Sequence, residues 1–138
     1  MNESPTKRIE SLGLKLPPAP KPAGVYRPTL LVDKFLYVSG QGPMKLDGNL
    51  IKGRVGKDLD LEQGKLAARQ VGLTMLSSIQ NHFGSIDKIK RVIKVLGMGF
   101  VEIKSLIFCI CGAKRRLYPT ISKVLDNFCF VSIVSISL

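Results

Sequence analysis

The sequence has no tryptophan, one histidine and few aromatic residues, which make up 7% of its 138 residues. Its three cysteines are an odd number and all lie after residue 108, so they do not describe a disulfide framework. Cys109 and Cys111 are too close together for the usual two-residue gap of a zinc knuckle, and His82 is far from them in sequence. The composition excludes a disulfide-dense domain and predicts neither a metal site nor a cofactor.

Long hydrophobic runs are also missing. The longest uncharged run, residues 127–138, is far shorter than the roughly 20 residues that a membrane-spanning helix needs, and serines interrupt it. The first 16 residues mix acidic and basic side chains without an apolar stretch, unlike a secretory signal. We therefore expect a cytoplasmic protein that does not insert into a membrane.

Acidic residues are scarce, since 10 Asp and Glu stand against 21 Lys and Arg and the formal net charge is +11. Such an excess favours anionic partners, among them nucleic acids, phosphates and carboxylates. The basic residues are scattered, however, and no run of aromatic residues lies beside them to stack on bases. We expect any RNA binding to be weak, independent of sequence and sensitive to salt.

The first part of the chain predicts a proline-rich arm followed by β-strands. Five of the eight prolines fall within residues 14–28, where each ring fixes φ and favours an extended backbone. The β-branched and aromatic runs Thr29–Val32 and Phe35–Ser39 flank a turn-forming Asp-Lys pair and predict a hairpin. An Asp-Gly turn signal then precedes a third short strand, predicted at Asn49–Lys52.

The clearest predicted element is a helix from about Leu61 to Phe83. Asp60 and Gln63 form a capping-box pattern at its start, and Gly84 is expected to end it. Apolar residues recur along it at spacings of three and four, which predicts one buried face: Ala68, Val71, Met75, Ile79 and Phe83.

The order of elements predicts an α+β fold. A strand at Ile89–Leu96 follows the helix, so the order is β-β-β-α-β, with the helix on one face of a mixed sheet. We divide the chain into an N-terminal arm (1–22), a partial domain (23–98) and a hydrophobic tail (99–138). Within the tail, residues 100–111 and 127–138 have strand-like sequences, and residues 119–125 favour at most a short helix.

Four motifs occur together in an order that is typical of one family. The arm from Leu12 to Tyr26 fits the pattern LGLxLPxxPxPxGxY, the second strand ends in the run LYVSGQGP over residues 36–43, and the long helix precedes the strand IKRVIKVLGM. In these features residues 8–98 resemble the RidA/YjgF family, also called the endoribonuclease L-PSP family.

The resemblance implies a chorismate-mutase-like α+β fold, homotrimers and ligand sites in clefts between subunits. It also implies hydrolysis of enamine or imine intermediates of the 2-aminoacrylate type, so that the ligand is a small carboxylate or imine. By the same resemblance, Tyr26 lines the cleft, while Ser39 and Gly40 form its floor. The alternatives are that Tyr26 anchors the arm by packing and that Ser39 caps a turn.

The sequence departs from the family after Met98. Family members continue with a second long helix, a strand carrying an Ala-Arg-Ser motif whose arginine binds the carboxylate, and a strand of Val-Glu-Ile-Glu type. Residues 99–138 contain neither motif in place, and Arg115 and Arg116 stand in a different context, so we assign no catalytic residue. We expect the tail to replace the second helix and closing strands, to hang loose and to drive association; the alternative is that it pairs with the edge of the Ile89–Leu96 strand. We expect the loss of the Arg and Glu motifs to impair catalysis. The alternatives are a non-catalytic subunit or aberrant truncated isoform, and a weak RNA-binding protein of the endoribonuclease type.

Overall fold

The computed structural model describes residues 4–22, 24–99 and 130–138. Two helices and four strands form in this part of the chain, which confirms the α+β class. In chain order they are α1 (Pro5–Ser11), β1 (Thr29–Val32), β2 (Phe35–Gln41), α2 (Leu61–Phe83), β3 (Arg91–Gly99) and β4 (Phe130–Ser137).

The four strands form one sheet in the order β1-β2-β4-β3. Each neighbouring pair is antiparallel, so the expectation of a mixed sheet is wrong for the described strands. The predicted hairpin is confirmed, because β1 pairs with β2 from Thr29 opposite Val38 to Val32 opposite Phe35. Asp33 accommodates the tight turn with a φ of 51°, a left-handed conformation that aspartate tolerates better than most residues.

Helix α2 begins and ends where the sequence predicts. The Asp60 carboxylate accepts a hydrogen bond from the Gln63 N–H at 2.7 Å, and the Gln63 side chain accepts one from the Asp60 N–H at 2.9 Å. At the other end Gly84 has a φ of 93°, which a residue without Cβ adopts at little cost, and its N–H donates to the Gln80 carbonyl. Local side-chain chemistry therefore sets both ends of the helix.

The core lies between α2 and the sheet. Three predicted helix positions, Val71, Met75 and Ile79, are buried there, whereas Ala68 is exposed and its neighbour Ala67 is buried instead. Phe83 is half-buried. The remaining buried members of the core cluster come from β2, β4 and the turn after the helix: Leu36, Val38, Ile136 and Ile86.

One prediction about the N-terminal half is wrong, and one helix forms that was not predicted. The third strand expected at Asn49–Lys52 does not form, because a tight turn at Gly48 returns the chain on itself and leaves only an isolated bridge between Met44 and Leu50. The proline-rich residues expected to be extended form neither helix nor strand over 14–22 and 24–28, and α1 forms ahead of them, where no helix was predicted. The first N–H groups of α1 find acceptors in two side chains. The Ser4 hydroxyl accepts from the Lys7 N–H, and a carboxylate oxygen of Asp87 accepts from the Thr6 N–H at 2.8 Å.

The expectation of a loose tail is wrong for residues 130–137, because β4 lies in the middle of the sheet. Ile136 pairs with Leu36 of β2 on one side and with Val92 of β3 on the other, and it is only 2% exposed. Its burial against α2 gives this strand a defined register. The stretches predicted at 100–111 and 119–125, together with the three cysteines and the basic residues at 114–116, lie outside the described residues.

Candidate ligand-binding groove

A groove lies where the arm meets the end of β2. It is open to solvent and has a volume of about 730 Å³. Three of its lining residues, Tyr26, Ser39 and Gly40, are those that the family resemblance assigns to a ligand site, and the fold brings them together. The full lining consists of Tyr26, Arg27, Leu30, Tyr37, Val38, Ser39 and Gly40.

The β1–β2 hairpin forms one wall of the groove. Leu30 of β1 lies directly opposite Tyr37 of β2, and opposed residues of an antiparallel pair project from the same face. Leu36 and Val38 are buried on the α2 side, so Leu30 and Tyr37 lie on the outer face, where they remain 47% and 44% exposed. A pair of apolar side chains is thus available to a ligand.

A second part of the lining comes from the end of the proline-rich segment 14–28, and hydrogen bonds from Ser39 connect this segment to β2. The Ser39 N–H donates to the Pro28 carbonyl at 2.9 Å, and its hydroxyl donates to the Arg27 carbonyl at 2.6 Å. The Tyr26 N–H donates to the Gly24 carbonyl, and two of its ring atoms lie 3.7 and 3.9 Å from the position that a Cβ of residue 24 would occupy. The Ser39 hydroxyl proton is therefore donated to the segment that precedes β1.

A buried hydrogen-bond chain connects this point to α2. The Ser78 hydroxyl, which is fully buried, donates to the Gln41 side-chain oxygen at 3.2 Å. The Gln41 amide nitrogen in turn donates to the Ser39 carbonyl at 3.3 Å. The helix thereby helps to position the strand end beneath the groove. The sequence places Gln41 at a strand end, but nothing in it indicates Ser78 as the partner.

Arg27 is the single charged residue among the seven that line the groove. Within residues 4–22, 24–99 and 130–138, no side chain forms an ion pair or hydrogen bond with its guanidinium. Its backbone is restrained because the following Pro28 disfavours the helical region for Arg27 and because its carbonyl accepts from Ser39. Sequence reasoning missed this residue, although its position between Tyr26 and a proline was a usable signal.

Asp47, in a loop outside the groove lining, has a lowered pKa. The backbone N–H of Asn49 donates to the Asp47 carboxylate at 2.9 Å, and this bond, followed by one from the Asn49 side chain, lowers the pKa of Asp47 below its usual 3.8.

In the described part of the chain, no group of three or more His, Cys, Asp or Glu side chains is arranged to hold a metal ion. Neither described helix has the length and apolar character to cross a membrane.

The chain is similar to one curated protein and to solved structures of the same fold. No family model matches it. It is 37% identical over 87 residues to Protein TCP17 of Trypanosoma cruzi, an alignment that includes 63% of this chain and 54% of that protein. The chain therefore spans about half the length of the curated relative it matches.

Two crystal structures superpose on nearly the whole chain. A candidate endoribonuclease from Shewanella oneidensis has a TM-score of 0.78 and 23% identity, covering 99% of this chain and 100% of its own. Atu1372 of Agrobacterium tumefaciens, a protein of unknown function, has a TM-score of 0.69 and 23% identity, with 96% and 90% covered. At this identity the likeness concerns the fold alone, and the chain has a RidA-like α+β fold.

Proposed function

We propose that this chain is a RidA/YjgF-type protein that binds a small carboxylate or imine in the groove between the arm and β2. The supporting observation is the convergence of Tyr26, Arg27, Ser39 and Gly40 at one strand end of a RidA-like fold. Aromatic and apolar walls with a few polar groups are the usual composition of a small-molecule site.

The family reaction is the hydrolysis of an imine to a keto acid. Water adds to the carbon of the C=N bond, and the C–N bond then breaks to release ammonia and leave the C=O group. The step needs a cation for the substrate carboxylate, a positioned water molecule and a site that excludes bulk solvent. Arg27 supplies a cation, but the seven residues that line the groove include no acid. The Ser39 hydroxyl already donates its proton to the Arg27 carbonyl. The proposal is therefore ligand binding with impaired catalysis.

The test is an assay of ammonia and keto-acid release from an enamine generated by a dehydratase. Loss of one group that stabilises the transition state lowers turnover by roughly 100- to 1000-fold, and the groove lining has no acid, so we expect little activity compared with a family member that carries both family motifs. Turnover equal to that of such a member would contradict the impairment. Binding of the keto-acid product is measured separately by calorimetry, and its absence would contradict the ligand-binding function itself.

A homo-oligomer, trimeric by the family resemblance, is part of the same proposal. Four apolar side chains on the outer face of the β1–β2 hairpin are 43–47% exposed: Leu30, Val32, Phe35 and Tyr37. A second copy on this face would cover them and shield the open groove from bulk water. A non-catalytic subunit of a family trimer would use the same surface.

RNA binding is a second candidate function. The net charge of +11 and the candidate endoribonuclease among the structural neighbours favour it. We expect weak, sequence-independent binding that falls steeply with salt. Titrating two single-stranded RNAs of different sequence at low and moderate salt tests this expectation. Tight binding that distinguishes the two sequences and persists at moderate salt would contradict it.

A further inference from the structure

The groove has a net positive charge. Arg27 lies in its wall, and the other six lining residues carry neither an acid nor a second base. Because no described side chain neutralises the guanidinium, it can form two parallel hydrogen bonds with a planar anion. A carboxylate matches that geometry and charge.

The rest of the groove is suited to an apolar group larger than a methyl. Tyr26, Leu30 and Tyr37 provide two aromatic rings and one branched chain around the volume of about 730 Å³. Small-molecule sites are lined mainly by apolar and aromatic side chains, and a three-carbon acid bound to Arg27 would offer these walls only one methyl group. Aromatic rings offer faces for offset or edge-to-face packing, so an aromatic ligand gains most from these walls.

We propose that Arg27 binds the carboxylate of an aromatic 2-oxo acid, or of the matching imine, whose ring packs on Tyr26, Leu30 and Tyr37. This inference rests on the proposed function and assigns its ligand class. It also gives the carboxylate-binding role to a residue of the arm. Ser39 is then a positioning residue, because its hydrogen bond to the Arg27 carbonyl fixes the backbone from which the guanidinium extends.

The test is calorimetric titration with three probes: phenylpyruvate, pyruvate and the neutral 2-phenylethanol. We expect the protein to bind phenylpyruvate at least about tenfold more tightly than either of the other two. Arg27→Gln is expected to weaken phenylpyruvate binding by about tenfold, since a hydrogen-bonded charge is lost at an exposed site. Arg27→Lys keeps the charge but not the planar fork, so its affinity for phenylpyruvate is expected to lie between those of the parent protein and Arg27→Gln.

The matched control is Arg69→Gln, which removes an exposed arginine of α2 that does not line the groove. This variant is expected to bind phenylpyruvate as the parent protein does. If Arg27→Gln and Arg69→Gln lose the same affinity for phenylpyruvate, the net charge of the protein explains the effect, and the role of Arg27 is overturned. Pyruvate binding as tightly as phenylpyruvate, or unchanged binding by Arg27→Gln, would overturn the inference while leaving the proposed function in place. If neither acid binds, both are contradicted.

Discussion

Gln41 is a buried amide whose two ends join α2 to the floor of the groove. Gln41→Leu would leave the Ser78 hydroxyl without its acceptor, so we expect the free energy of unfolding to fall by about 1–3 kcal/mol in urea denaturation. The double variant with Ser78→Ala removes both polar groups and is expected to recover part of that loss. Strictly additive losses would show that the two side chains are not coupled.

Asp47 titrates below its usual range because the Asn49 N–H donates to the charged form of its carboxylate. The lowered pKa means that this loop contributes stability above the unfolded-state pKa and loses it as the pH falls through the folded-state value. Titration followed by NMR is therefore expected to give Asp47 a pKa below 3.8. Asn49→Ala removes the weaker side-chain bond and keeps the backbone one, so the pKa should rise but stay below 3.8. An unshifted pKa in the parent protein would contradict the hydrogen bond.

Strand β4 depends on Ile136, which is buried against α2 and paired with both neighbouring strands. Ile136→Ala is expected to lower the free energy of unfolding by about 2–5 kcal/mol, because the cavity in a packed core is only partly refilled. The matched control is Val95→Ala on β3, where the side chain is 61% exposed and the expected loss is below about 1 kcal/mol. Equal losses in thermal or urea melts would contradict the central place of β4.

Elements that depend on neighbouring residues could be predicted, and those that depend on distant partners could not. The ends of α2 are set by the Asp60 and Gln63 pair and by Gly84, all within a few residues of the helix ends. The place of β4 between β2 and β3 depends on partners roughly 30 to 100 residues away, which composition does not identify. The groove divides in the same way: the family motif indicates Tyr26 and Ser39, and the position before Pro28 could have indicated Arg27. The hydrogen bond from Ser78 to Gln41, by contrast, joins residues 37 positions apart and depends on the fold.

At the scale of the whole molecule, the outer face of the β1–β2 hairpin is an exposed apolar surface. Phe35 lies on this surface and does not line the groove. We expect the protein to elute as a homo-oligomer in size-exclusion chromatography with light scattering, and Phe35→Lys to shift it toward monomer, because a charge in a desolvated interface is costly. Leu46→Lys is the control, since Leu46 is 58% exposed in the turn before Gly48 and should leave the mass unchanged. A monomeric parent protein, or an unchanged Phe35→Lys mass, would contradict this assembly.

The position of β4 has a consequence for the order in which the chain folds during synthesis. The β1–β2 hairpin and β3 are both synthesised before β4, the strand that lies between them. The edge of β2 that includes Phe35 stays unpaired until Ser137 has been made. At about 5–20 residues per second, the ribosome takes roughly 4–20 s to make the chain between β2 and β4. Throughout that interval β2 has an open edge, and closure requires contacts of long sequence separation, which form slowly. A nascent chain of this protein is therefore most in need of a chaperone just before β4 appears.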